Sequence, residues 1–118
     1  MNNIQHTAKI MQNTFAEMVD IAVRYCSNAE LLPLMENVCK ITSLFSDAIY
    51  ALMKGDYTSL NKICENMKSE VKALGGELSK IVDEKQKKTI ESQENEFNDC
   101  CDNICKLANN IANARRIV

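Results

Sequence analysis

The 118-residue chain has little of the material that makes turns and β-sheets: one proline, three glycines and no tryptophan. Leu, Met, Ala, Lys and Glu are common instead, and these residues are comfortable in helices. The composition, 46% hydrophobic and 25% charged, is that of an ordinary globular protein rather than a disordered one. The scarcity of helix breakers predicts an all-α fold, and the length predicts one domain spanning residues 1–118.

Long apolar runs and blocks of positive charge are also missing. No segment approaches the roughly 18 apolar residues that a membrane-spanning helix needs, and the N-terminus lacks the basic start and apolar middle of a signal peptide. The formal net charge is −2, and no cluster of Lys or Arg is large enough to follow a phosphate backbone. We therefore expect a cytoplasmic protein with no membrane insertion and no nucleic-acid partner.

The signatures of catalysis and cofactor binding are absent as well. A single histidine is too few for the paired Glu-x-x-His motifs of di-iron bundles. There is no Cys-x-x-Cys, no glycine-rich phosphate loop and no G-x-S-x-G motif. The six cysteines fit reduced thiols that pack as small apolar core residues. We expect no enzymatic activity, no catalytic residues, no metal and no cofactor.

Apolar residues recur at alternating steps of three and four in four segments, 4–25, 34–52, 60–81 and 90–111. Such spacing places them on one face of a helix, and Glu94 interrupts the fourth stripe. Short joints between helices make neighbours run in opposite directions. The sequence therefore predicts an antiparallel up-down-up-down four-helix bundle with helices of roughly 24 to 28 residues.

The joints carry their own signals. Ser27, with Glu30 three positions later, has the pattern of a capping box. Gly55 is suited to a left-handed helix end and Asp56 to an N-cap. Segment 83–88 has no apolar residue and is predicted to be a solvated turn. The pair at 75–76 is two glycines within a helical stripe, so either that helix kinks or a neighbouring backbone comes close.

His6 is the one candidate for group transfer. His6-Thr7-Ala8-Lys9 resembles the His-Thr-x-Lys start of histidine phosphotransfer domains, which are also helical bundles. The stripe turns Ile4 and Ala8 inward, so His6 is predicted to face solvent, as a phospho-acceptor must. The family places a glycine after the lysine, where this chain has Ile10. The alternative is a surface histidine without a special role.

Segment 34–111 resembles a PhoU-type domain, the helical module of phosphate-uptake regulators and of cytoplasmic tails of sodium/phosphate cotransporter-like proteins. Three stretches carry the resemblance. Segment 46–56 is similar to the family's A-x-x-A-x-x-x-G-D, segment 69–74 to its D-E-x-D-x-L, and segment 101–108 to its G-D-x-x-x-x-I-A. The resemblance implies a helical regulatory module.

The metal-binding motifs of that family, E/D-x-x-x-D, are degraded here. Lys68 and Lys72 stand where the first motif has acids, and Asn98 replaces one acid of the second. Only Asp102 survives, and a lone carboxylate does not hold a multivalent cation. The resemblance thus implies a non-enzymatic regulatory or protein-interaction module linked to phosphate transport, with a transporter or signalling protein as partner and no metal. The alternative is a helical structural or interaction domain unrelated to phosphate.

Several apolar residues lie outside the four inner stripes and widen the apolar face of each helix. They either fill flanking positions in the bundle or form a self-association patch, and on the second interpretation the chain is a homodimer. These residues are Ile10, Val19, Ile21, Val23, Leu44, Ile49, Ile63 and Val82.

Overall fold

A computed structural model describes residues 2–117, with side-chain surroundings for residues 3–115. The described residues form four α-helices and no strand, which confirms the all-α prediction: α1 (Asn2–Tyr25), α2 (Asn28–Lys54), α3 (Tyr57–Ser79) and α4 (Glu84–Ile117). The first three have 24, 27 and 23 residues, but α4 has 34. The expectation of four similar lengths is therefore wrong for α4. None of the helices within 2–117 is long and apolar enough to cross a bilayer.

The first two joints are capped as predicted. The Ser27 backbone N–H donates to Glu30 Oε1 at 2.8 Å, and the Glu30 N–H donates back to Ser27 Oγ at 3.3 Å. At the second joint Gly55 has φ 72°, a left-handed conformation that glycine adopts without a Cβ clash. Asp56 then accepts a hydrogen bond from the Ser59 N–H at 3.2 Å. Each joint satisfies amides that a helix start leaves without intrahelical partners.

The third joint corrects the prediction of a turn at 83–88. The turn occupies residues 80–83, and α4 already begins at Glu84. Asp83 starts the helix, because its Oδ1 accepts from the Gln86 N–H at 2.9 Å. The segment lacks apolar residues because it is the largely exposed first turn of a helix, while Val82, within the turn, is buried.

All four helices contribute to one core. Its fully buried large side chains follow the predicted stripes, and burying each contributes about 1.5–3 kcal/mol. Phe45 of α2 bridges Phe15 of α1 and Phe97 of α4, with ring centroids 5.9 Å apart in both pairs. The largest buried side chains are Phe97, Met11, Met18, Ile41, Leu60, Met67, Leu74, Leu78 and Ile90.

The helices are not packed equally. α4 lies against both α1 and α3, and α2 lies against α3. α1 and α2 make few contacts with each other, although only two residues connect them. The surface between α1 and α2 is therefore the most open seam between sequence neighbours in the described chain.

The glycines of α3 remain helical, and what approaches Gly75 is a side chain rather than a neighbouring backbone. A Cβ at Gly75 would lie 1.5 Å from Oε1 of Glu94, whereas a Cβ at Gly76 would meet nothing within 4 Å. Glu94, which interrupts the stripe of α4, thus lies over the space that Gly75 leaves. Its burial raises the pKa of its carboxyl group, with a smaller contribution from Glu91.

Candidate functional site

Among residues 3–115, the exposed large hydrophobic side chains lie on one part of the molecule. Among the described residues they belong to α1 and α2, and neither α3 nor α4 carries any. Single exposed apolar residues are normal on a protein surface, but a concentration of them on one side is a feature of interaction surfaces. The residues are Val23 and Tyr25 on α1, and Leu32, Met35, Ile49, Tyr50 and Met53 on α2.

Helix α2 has a second regularly spaced face besides the one it buries. Seven of its exposed residues follow steps of three and four along the helix, and none of them is charged. Because successive residues turn by about 100°, this spacing keeps all seven on one side, roughly a third of a turn from the buried face. We call these residues the outer stripe: Leu32, Met35, Cys39, Thr42, Ser46, Ile49 and Met53.

The outer stripe borders the open seam between the first two helices. At one end of the seam lies a cavity of about 440 Å³, lined mainly by apolar side chains of α1 and α2. Ile4 and Ala8 contribute from α1, and Leu52 and Met53 from α2, while the cations Lys54 and Arg115 also line the cavity. We call this space the α1–α2 cleft. Ile49 and Met53 belong to both the cleft and the outer stripe, so the two form one continuous and mainly apolar surface.

His6 is exposed on α1, as predicted. The neighbouring Thr7 is buried, and its Oγ1 donates to the Asn3 carbonyl at 2.8 Å and accepts from Asn103 Nδ2 at 3.3 Å. The threonine of the His-Thr-x-Lys pattern therefore helps to attach α1 to α4. The histidine does not line the α1–α2 cleft.

Asp102, the acid that survives from the PhoU metal motifs, is held by a lysine. Lys68 Nζ donates to Asp102 Oδ1 and also lies 3.3 Å from Oε1 of Glu65. These carboxylates, Asp102 first, raise the pKa of Lys68. Among the described residues no three His, Cys, Asp or Glu side chains converge as a metal site would require.

Cys64 of α3 lies near Cys101 and Cys105 of α4. The neighbouring Cys101 thiol, together with burial, raises the pKa of Cys64 to about 12. Such thiols stay protonated at neutral pH and are poor nucleophiles. Cys64 and Cys101 are thus core residues, as predicted. Cys39 departs from that prediction because it is exposed on the outer stripe.

The residues that predicted self-association are mostly packed. Ile21 and Val82 are buried, and Ile10, Val19, Leu44 and Ile63 are half-buried. Only Val23 and Ile49 are exposed. The sequence did contain the signal of the outer stripe, an uncharged three-and-four repeat over 32–53, but the stronger stripe of the buried face in the same helix obscured it.

No protein-family model, no curated protein and no solved structure matches this chain. The comparisons therefore neither support nor oppose the PhoU resemblance.

Proposed function

We propose that the chain is a non-enzymatic protein-interaction module that binds its partner through the outer stripe and the α1–α2 cleft. The observation that carries the proposal is that the exposed large hydrophobic residues within 3–115 all belong to α1 and α2. Burying apolar surface drives most protein association, and an uncharged strip can be covered without leaving an unpaired charge. The exposed surfaces of α3 and α4 offer no such strip among the described residues.

The proposal includes an antiparallel up-down-up-down arrangement of the helices. Its support comes from contacts between α1 and α4. Thr7 bonds to Asn103, Glu17 Oε2 accepts from Gln93 Nε2 at 3.1 Å, and the Tyr25 hydroxyl accepts from Gln86 Nε2 at 3.1 Å. Residue numbers rise along α1 as they fall along α4. In this arrangement the outer stripe of α2, which borders the seam with α1, is not covered by another described helix.

A link to phosphate transport is the narrower form of the proposal, and it rests on the PhoU-like segments of 34–111. One of those segments has a structural explanation of its own, because Gly55 ends α2 and Asp56 caps α3. The phosphate link can be tested by expressing the chain in a bacterium that lacks its own PhoU protein. Restored phosphate-responsive control of uptake would support it, and unchanged uptake in a strain that makes the folded chain would contradict it.

The proposed interaction surface can be tested by photo-crosslinking from the native thiol of Cys39. A photo-crosslinker attached there should give defined adducts in a lysate of the source organism, since the thiol lies within the proposed surface. The matched control moves the thiol to α4, in a Cys39→Ser/Ser92→Cys variant, because Ser92 is also exposed. Adducts should form from Cys39, disappear with Ile49→Glu, and be absent from position 92. Equal adducts from both positions would contradict the proposal.

A further inference from the structure

The α1–α2 cleft has the size and the lining of a small-molecule site. Its volume is about 440 Å³, within the roughly 300–1,000 Å³ of ligand pockets, which are mostly apolar with a few polar groups. All four helices contribute to its wall. The apolar side chains of the wall are Ile4, Ala8, Ile49, Leu52, Met53 and Ile111.

A smaller apolar space of about 40 Å³ adjoins the cleft on the side of the core. Ala8, Ile49 and Leu52 line both spaces, and the core side chains Met11 and Phe45 line only the inner one. No described residue that lines the inner space is charged, and burying an unpaired charge is costly. The inner space therefore suits the apolar tail of a ligand rather than a charged group.

The rim of the cleft carries positive charge and no acid. Lys54 and Arg115 line it, whereas no Asp or Glu among the described residues does. Arg115 lies over the end of α2, with its Nη1 3.9 Å from the position that a Cβ on Gly55 would take. Within residues 3–115 no ion pair joins its guanidinium to a carboxylate. The charge of the cleft is thus complementary to an anion.

We assign the contact with an anionic head group to Arg115 rather than to Lys54. The Nζ of Lys54 lies 4.7 Å from the centroid of the Tyr50 ring, and Tyr50 does not line the cleft. A guanidinium can bind a carboxylate or a phosphate through two parallel N–H donors. Gln5 and Tyr57 also line the cleft, and their amide and hydroxyl groups can donate further hydrogen bonds.

The size of the cleft favours an extended chain over a helix. One helical turn, about 10–12 Å across and 5.4 Å long, occupies roughly 420–610 Å³. The cleft, at about 440 Å³, could hold at most one such turn, and the inner space is far smaller. An alkyl chain with an anionic head matches both the apolar inner end and the cationic rim.

We infer that the α1–α2 cleft binds a single-chain amphipathic anion, with its alkyl tail directed toward the inner space and its head group at Arg115. Fatty acids and alkyl phosphates share this chemistry. The inference goes beyond the proposed function, because a protein partner contacts the mouth of the cleft, whereas this ligand fills it.

Isothermal titration calorimetry with octanoate, octyl phosphate and octan-1-ol, from about 1 µM to about 1 mM, tests the head group. The three probes carry alkyl chains of similar length. Octan-1-ol should bind roughly two- to fivefold more weakly than the anions, the range expected of one exposed ion pair. The tighter of the two anions identifies the preferred head group. No binding of either anion, or equal binding of octan-1-ol, overturns the inference.

A charge reversal tests the role of Arg115. Arg115→Glu should weaken octanoate at least about tenfold, because like charges placed together are costly, and should leave octan-1-ol unchanged. Lys106→Glu makes the same change of charge at an exposed position of α4 outside the cleft and should alter neither affinity. If Arg115 only stabilised the end of its own helix, octanoate and octan-1-ol would weaken together, and that result overturns the inference.

The tail is tested by chain length and by filling the cleft. From hexanoate to octanoate to decanoate, each step should tighten binding between about fourfold and about fifteenfold, because each fully buried methylene contributes about fourfold. Ala8→Leu fills space shared by the cleft and the inner cavity and should weaken octanoate at least about tenfold. Ala16→Leu, exposed on the same helix, should not. Affinities that ignore chain length, or equal effects of the two leucines, overturn the inference.

Failure of this inference is distinguishable from failure of the proposed function. If octanoate and octyl phosphate do not bind, but Cys39 forms adducts that Ile49→Glu removes, the ligand site is overturned and the protein interface stands. If octanoate binds as predicted and no such adducts form, the ligand site stands and the protein interface is contradicted.

Discussion

The two adjacent glycines of α3 should respond oppositely to the same substitution. Alanine at an exposed interior helix position is favoured over glycine by about 1 kcal/mol. Gly76→Ala should realise this gain, because its new Cβ meets nothing within 4 Å. Gly75→Ala should not, because its Cβ would lie 1.5 Å from Oε1 and 2.5 Å from Cδ of Glu94. The Glu94 side chain would then have to leave its position.

Thermal unfolding at a fixed protein concentration would measure the difference. A gain of about 1 kcal/mol corresponds to a rise of roughly 4 °C in Tm for a domain of this size. We expect that rise for Gly76→Ala and little or none for Gly75→Ala.

A double-mutant cycle with Glu94→Ala tests the cause. In the Glu94→Ala background the space over Gly75 is open, so Gly75→Ala should gain stability much as Gly76→Ala does. The two sites in contact should therefore show coupling. Equal Tm values for the two single variants, or no coupling between Gly75 and Glu94, would refute the packing that the structure shows.

Three further predictions concern ionisable groups. Burial raises the pKa of Glu94 above its ordinary value of 4.5, so stability should fall as pH rises through that raised pKa. Glu94→Gln should be more stable than the wild type at pH 7, and the gap should close below about pH 4; an equal gain from the exposed Glu96→Gln would argue against burial as the cause. At pH 8 only about one Cys64 thiol in ten thousand is ionised, so iodoacetamide should label Cys39 promptly and Cys64 only after unfolding; prompt labelling of both would contradict the buried cluster. The phosphotransfer alternative predicts acid-labile label from a phosphodonor that His6→Gln abolishes, and the interaction-module proposal predicts no label.

Much of the fold could be predicted from the sequence, because the residues that begin and end a helix act locally. The capping box at Ser27 and the left-handed Gly55 each depend on a few neighbouring residues, and both are present. The boundary at Asp83 was misplaced because an exposed first turn and a solvated turn have the same polar composition. The packing of Gly75 against Glu94 was not predictable, because it depends on how α3 and α4 align.

The candidate site was harder to predict because α2 carries two overlapping repeats. Ile41 belongs to the buried face and Thr42 to the exposed one, and only the packing of the other helices decides which repeat is covered. The weak contact between α1 and α2 is likewise invisible in a sequence where a two-residue joint suggests close neighbours. For the same reason Cys39 was expected in the core and lies on the surface.

The central claim, that a partner covers the outer stripe, is tested most directly by the alkylation rate of Cys39 with and without source-organism lysate from which small thiols have been removed. The account predicts that the lysate slows alkylation of Cys39 several-fold, because a bound partner then covers the thiol. In a Cys39→Ser/Ser92→Cys variant, the lysate should not slow alkylation at position 92. A Cys39 rate that the lysate leaves unchanged would contradict the claim.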